Sequence, residues 1–184
     1  MIRIHNKDAF KFVRQSADNY FDCIITDPPY DEIIAPDFMA QLMRICKGNI
    51  IMFSAPEKEF FKPDERAYWI KTPSTKNYSK HLGRFVEHIL IMRRGSTFNA
   101  DLHWSNYTGV YDDRLLKKQE HPWEKPLSLM ERLVAIYSKP DDNILDPFMG
   151  SGTTLLAARN LGRNADGVEI DPIWCGLAET RLNV

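Results

Sequence analysis

A doubly wound α/β sheet is what this chain predicts, and three observations predict it. Short apolar runs of strand length alternate with longer stretches whose apolar residues recur every three or four positions, as strands separated by crossover helices do. Two of those runs, Phe21-Asp22-Cys23-Ile24-Ile25-Thr26 and Asn143-Ile144-Leu145-Asp146, lead into an Asp followed at once by proline. The chain has 184 residues, no internal repeat and no low-complexity tract, so it reads as a single domain over 1–184 with room for a sizeable core. Open sheets of this kind bind ligands outside the carboxyl ends of their strands, so both Asp-Pro turns are candidate site elements.

Each element has its own signal. Residues 1–5 alternate and open the chain as a short strand; a helix follows over 7–14, with Phe10 and Val13 three apart. Residues 21–26 read as a buried strand. A helix over 36–46 places Phe38, Met39, Leu42, Met43 and Cys46 on one face, and Lys47-Gly48 is expected to end it. Strands follow over 49–54, 67–71 and 87–93. No helical pattern separates the last two, so they are expected to pair antiparallel at one edge. The segment 95–120 is polar and aromatic with no clear period. A helix over 126–137 turns Leu127, Met130, Leu133, Val134 and Tyr137 to one side. A strand over 143–146, a helix over 153–161, a strand over 165–169 and a helix over 172–182 complete a seven-stranded sheet. The irregular stretches 72–80 and 95–120 are long for a compact domain, and such loops are usually functional or mobile.

Composition narrows the functional classes. The chain is 43% hydrophobic and 27% charged, ordinary for a globular protein. It has no apolar run of about 18 residues that would span a membrane, and its first residues lack a signal-peptide layout. Cys23, Cys46 and Cys175 lie far apart without metal-ligand spacing and read as reduced core residues of a cytoplasmic protein. The five histidines are scattered, so no metal is expected. Net charge is −1, but unevenly placed: residues 66–98 carry seven cations (Arg66, Lys71, Lys76, Lys80, Arg84, Arg93 and Arg94) against one acid, Glu87. That segment is +6 and the remainder −7. A basic face on an otherwise acidic protein suits a polyanion partner, and it equally describes a solvated loop.

The two Asp-Pro turns carry the chemistry. In Asp146-Pro147-Phe148-Met149-Gly150-Ser151-Gly152-Thr153-Thr154, two glycines flank a strand-to-helix turn, where backbone can approach a ligand and a helix N-terminus offers free N–H groups. The next strand ends in Gly167-Val168-Glu169-Ile170-Asp171, and an acid at that point commonly binds ribose hydroxyls. The third glycine of the dinucleotide fingerprint and the P-loop lysine are both missing. A nucleoside cofactor bearing a carboxylate fits better than a pyrophosphate, although the turn alone could be a tight connection. In Asp27-Pro28-Pro29-Tyr30, consecutive prolines fix a rigid turn. Asp27 and the Pro28 carbonyl can accept hydrogen bonds from an exocyclic amine, and Tyr30 offers a face for a base to stack on. A Pro-Pro turn with a capping Asp is the plainer alternative.

Taken together and in this order, these blocks resemble the β-group of S-adenosylmethionine-dependent DNA amino-methyltransferases, a circularly permuted, Rossmann-like family. The resemblance covers nearly the whole chain. Asp27-Pro28-Pro29-Tyr30 is similar to the catalytic DPPY motif, Phe148-Met149-Gly150-Ser151-Gly152 to the cofactor motif FxGxG, and Gly167-Val168-Glu169 to the ribose-binding strand. His121-Pro122-Trp123-Glu124-Lys125-Pro126 resembles the HPxxKP segment, and Asp8 takes the place of the acid that meets the cofactor's adenine. Lys47-Gly48 and Glu87-His88-Ile89-Leu90 also sit where the family has such residues. The resemblance implies cofactor contacts from Asp8, Lys125, Asp146, Phe148, Gly150, Ser151, Gly152, Thr153 and Glu169, with Lys125 at the methionine end. It implies DNA as partner, and the basic segment supplies Lys76, Lys80, Arg84, Arg93 and Arg94 as candidate contacts. Trp104 and Tyr107 could touch DNA or anchor a small lobe.

The implied activity is methyl transfer to the exocyclic amine of a flipped-out base. An Asp at the head of the motif leans toward adenine; cytosine N4 is the alternative. Methylation of a protein glutamine amide uses a motif beginning with Asn, and a silent DNA-binding relative would not need Asp27 and Glu169 intact. Three departures stand out. The segment 95–120 is shorter than the family's usual recognition region, Asp31 follows Tyr30, and Lys7-Asp8 replaces Gly-Asp. Short or loose site recognition follows, with a homodimer as one way to add surface.

Overall fold

The computed structural model describes residues 1–29, 36–55, 62–71, 86–94, 109–111 and 124–184. Strands are β1 (Ile2–Asn6), β2 (Phe21–Thr26), β3 (Cys46–Ser54), β4 (Glu65–Ile70), β5 (Val86–Met92), β6 (Val110–Tyr111), β7 (Asn143–Asp146) and β8 (Asn164–Glu169). Helices are α1 (Ala9–Gln15), α2 (Pro36–Ile45), α3 (Leu127–Tyr137), α4 (Thr153–Asn160) and α5 (Pro172–Leu182). Local chemistry sets several boundaries. Asp8 caps α1 by accepting from the Lys11 N–H at 2.8 Å. Asp171 caps α5 through the Ile173 N–H at 2.8 Å, with Pro172 in the first turn, where its missing N–H costs nothing.

The strands form one sheet in the order β1-β8-β7-β2-β3-β5-β4-β6. All described pairings are parallel except those of β5, which runs antiparallel to both β3 and β4. From β7 the chain steps through α4 to β8 on one side; from β2 it steps through α2 to β3 on the other. Strand order therefore reverses between β7 and β2, and a crevice opens at the carboxyl ends of strands at such a point. Asp27 and Asp146 flank it.

Alternation along the strands divides the core between two faces. Cys23 and Ile25 of β2, Ile51 and Phe53 of β3 and Ile144 of β7 pack with α3, α4 and α5. Ile24, Ile50, Met52 and Leu145 point the other way and pack with α1 and α2. All three cysteines are buried and free. No helix of the described residues is long and apolar enough to cross a membrane.

Three details differ from the sequence reading. The sheet has eight strands rather than seven. The two residues of β6 pair with β4 from within the stretch 95–120, so the antiparallel strand β5 is interior and β6 forms the edge. Gly48 does not lie beyond a helix end; it lies inside β3, which begins directly after α2. A Cβ there would stand 1.9 Å from the Asp22 carbonyl oxygen, where the β2–β3 register shifts, so close strand approach demands glycine. On α2, Ile45 is buried and Met43 is 38% exposed, because the buried stripe runs through Phe38, Leu42 and Ile45 and Met43 falls to its side.

Candidate active site

The crevice is built from two strand ends. Asp146 closes β7 and is 4% exposed. Its Oδ1 accepts from the Thr26 hydroxyl at 3.0 Å and the Phe148 N–H at 3.1 Å; its Oδ2 accepts from the Thr154 hydroxyl at 2.5 Å. One carboxylate thus ties the end of β2, the turn after β7 and the first residues of α4. Burial raises its pKa to about 6, with the three donors pulling the other way and the charge of Asp27 adding to the rise.

Asp27, immediately after β2, is held differently. Its Oδ2 accepts from the Lys125 ammonium, whose side chain is 8% exposed. Its Oδ1 is buried, and no described residue donates to it. Lys125 Nζ also stands 3.2 Å from Oε2 of Glu87 on β5, an ion pair rather than an aligned hydrogen bond. Glu87 pairs in turn with Lys71, just beyond β4. The rings of Phe53 and Trp69 lie 4.9 and 5.8 Å from the Lys125 nitrogen. Burial alone would lower the Lys125 pKa, but the carboxylates of Asp27 and Glu87 outweigh it and the net shift is upward. Burial would likewise raise Glu87, yet Lys125 and Lys71 bring it below the usual carboxylate range.

Across the crevice, the turn after β7 is shaped for close approach. Gly150 and Gly152 have φ of 51° and 79°, the left-handed region that favours glycine. The turn also lies tightly on β8: a Cβ on Gly167 would come 2.4 Å from Met149 Sδ and 2.7 Å from Leu155 Cδ2. Glu169, at the end of β8, accepts from the Gly150 N–H at 3.2 Å and the Asp171 N–H at 2.9 Å. Each carboxylate oxygen keeps a further lone pair, so ribose hydroxyls can still be accepted. Phe148 packs 5.7 Å from the Phe38 ring. Ile170 follows Glu169 and is 68% exposed, an apolar surface beside that acid. These residues fit a nucleoside ligand.

Other expected residues fall in varied places. The Asp8 carboxylate serves the α1 N-cap. Ser151 and Thr153 are buried next to Arg181 of α5, whose guanidinium lies 3.4 and 3.1 Å from their hydroxyls and 2.7 Å from Glu124. Arg93 and Arg94 are not at the edge of the sheet where Asp27 and Asp146 lie. Residue 92 pairs with Ile50 near the amino end of β3, while His88 pairs with Ser54 at its carboxyl end. Arg93 is bound by Glu65 at 2.8 Å, and Arg94 donates to the carbonyls of Met43 and, at 2.6 Å, Cys46, closing the end of α2. Tyr30, Asp31, Lys76, Lys80, Arg84, Trp104, Tyr107 and the segment His121-Pro122-Trp123 lie outside the described residues. No group of three or more potential metal ligands occurs among the described residues.

Thr26, Lys71 and Arg181 stand outside the expected site, while Thr154, Gly167, Glu87 and Glu124 lie inside the quoted motifs without a role of their own. Glu87 had a readable signal, as the one acid in a stretch of seven cations. Thr26 ends an otherwise apolar strand. Arg181, far along the chain, offered none.

Comparison with known proteins agrees with this geometry. The chain is 29% identical over 240 residues to Type II methyltransferase M2.DpnII of Streptococcus pneumoniae, covering 99% of this chain and 89% of that protein. That aligned stretch is 56 longer than the 184 residues here, so the relative carries internal residues without counterparts in this chain. Identity to Type II methyltransferase M2.LlaDCHI of Lactococcus lactis subsp. cremoris is 33% over 147 residues, 70% of this chain and 54% of that one. The crystal structure of the M1.HpyAVI–SAM complex superposes with a TM-score of 0.77 at 28% identity, covering 98% of this chain and all of the other. The family model for DNA methylase (N6_N4_Mtase) matches residues 40–180, and the chain belongs to that family.

Proposed function

We propose that this protein transfers a methyl group from S-adenosylmethionine to the exocyclic N6 amine of adenine in DNA. The observation that carries the reading is Asp27: at the switch point of the sheet, with one oxygen fixed by Lys125 and the other buried without a described donor. An amino hydrogen supplies the missing donor. The amine is stacked inside a duplex, so the base must be turned out of it. Asp27 and the Pro28 carbonyl then accept the two amino hydrogens and aim the nitrogen lone pair, with Tyr30 as the stacking face. The bound sulfonium supplies an already activated methyl group, so the protein's own work is positioning and electrostatics. Glu169 accepts from the ribose, Ile170 and Phe148 line the cofactor's side of the crevice, and the Gly150–Thr154 turn takes the methionine end. Asp146 organises that turn from beneath.

DNA approaches the carboxyl edge. The chain leaves β4 after Ile70 and enters β5 at Val86, a pair at that edge, and the segment between them carries Lys76, Lys80 and Arg84. These three are the proposed phosphate contacts. The brevity of the segment 95–120 supports a short recognition element here. The Type II names of the relatives fit the modification half of a restriction system, in the cytoplasm of a bacterial or phage-infected cell.

Digestion of methylated DNA to nucleosides, followed by mass spectrometry, tests the reading. N6-methyladenine is expected. N4-methylcytosine would assign the cytosine reaction instead, and an unmodified digest would support a silent DNA-binding protein.

A further inference from the structure

Lys125 belongs to the catalytic acid in this structure rather than to the turn after β7. Its ammonium is almost fully buried between Asp27 and Glu87 and walled by Phe53 and Trp69. Lys71, Glu87, Lys125 and Asp27 form a row of alternating charges contributed by four separate segments, and their sum is zero. Such a row is rigid, because each ion is costly to bury without its neighbours. A carboxylate has two oxygens, and here one is taken and the other is left.

We propose that Lys125 is a positioning residue for methyl transfer: it holds Oδ2 of Asp27 so that Oδ1 faces the target amine, and Glu87 anchors Lys125 in that place. The proposal rests on Asp27 being the acid that meets the amine. Other ionisable groups about the pair are Asp146 at the end of β7, His88 beside Glu87 on β5, Lys71 beyond β4 and Glu124 preceding Lys125. Asp146 feels the charge of Asp27, His88 packs edge-on against Tyr68, and Glu124 is bound to Arg181. None of these replaces the cation. Without Lys125, Asp27 would keep a carboxylate neighbour and lose its positive one. It would then be free to rotate away from the target amine.

The test compares Lys125→Met, Lys125→Met with Glu87→Gln, Asp27→Ala and the Asp27→Ala/Lys125→Met pair. Turnover on DNA and S-adenosylmethionine affinity by calorimetry are read for each. The double change with Glu87→Gln leaves no unpaired buried acid at Glu87, so it reports on function even if Lys125→Met folds poorly. Lys125→Met and this double variant are expected to lose roughly a hundredfold in kcat. Cofactor affinity should stay within about threefold of the parent, where tenfold would be about 1.4 kcal/mol. The loss should fall on kcat while cofactor affinity is kept, a split that a merely structural role would not produce. Adding Lys125→Met to Asp27→Ala should cost little more, since the two act as a unit. Parental turnover in both Lys125 variants would overturn the proposal while leaving Asp27 in its role. So would a loss of cofactor affinity with kcat retained, which would place Lys125 at the methionine end. An active Asp27→Ala variant would instead remove the reading on which the proposal rests.

Discussion

Asp27 and Asp146 stand at the carboxyl ends of adjacent parallel strands, and the structure treats the same side chain in opposite ways. Asp146 receives three neutral donors and, among the described residues, no cation is recorded against it. Asp27 has a lysine on one oxygen and no described donor on the other. A saturated buried carboxylate is a structural pin. One left half-satisfied by the described residues at a ligand crevice has room for a further donor, and the proposed function gives that place to the target amine, since buried acceptors in native proteins are seldom left unpaired. On the proposed function, turnover falls to Asp27 and loop architecture to Asp146.

The largest effect is expected at Asp27. Asp27→Ala should lower kcat by at least roughly a hundredfold, on the order of 3 kcal/mol, with cofactor affinity by calorimetry within a few-fold.

At Asp146 the effect should appear as stability. Asp146→Ala leaves three buried donors unpaired and is expected to cost about 2–4 kcal/mol in a denaturant titration, weakening cofactor binding as the turn loosens. The same carboxyl should also imprint a pH dependence. Folded, it keeps its proton up to about pH 6, against an ordinary value of 3.8. Between those values the folded state binds the extra proton. Its contribution to stability is therefore greatest at low pH and declines as pH rises toward 6, by at most about 3 kcal/mol. Parent and Asp146→Asn melting temperatures, compared from pH 4 to 8, should diverge in that window, with the parent falling more steeply.

Gly167→Ala sharpens the same contrast from the neighbouring strand. Its Cβ would press on Met149 and Leu155, so a loss of about 1–3 kcal/mol in stability is expected. Cofactor affinity should drop with it, while single-turnover chemistry in the preloaded enzyme is retained. The smallest effect should come from the amino edge. Arg93→Ala with Arg94→Ala is expected to change DNA affinity by less than about threefold at any salt concentration. Replacing Lys76, Lys80 and Arg84 should weaken all sequences alike and flatten the salt dependence.

Much of this was legible in the chain itself. Strand 21–26, strand 143–146 and helix 172–182 match the observed elements, because each is bounded by proline, Asp or Asn. The adjacency of the two Asp-Pro turns also follows from the α/β pattern. What stayed hidden depends on contacts distant in sequence. Gly48 resembles a helix-ending glycine until β2 is seen lying against it. Lys125, 98 positions from Asp27, pairs with that acid only because β2 and the start of α3 meet at one edge. Arg93 and Arg94 count as cations in any tally of charge, and an antiparallel strand carries them to the far end of the sheet. The two residues of β6 are too few to produce a periodic signal.

The central claim is that Asp27 serves the amine and not the cofactor, and single-turnover methyl transfer by Asp27→Ala preloaded with S-adenosylmethionine tests it most directly. The account predicts a fully loaded enzyme that transfers its methyl group at least roughly a hundredfold more slowly than the parent. Transfer at the parental rate from the same loaded state would contradict it.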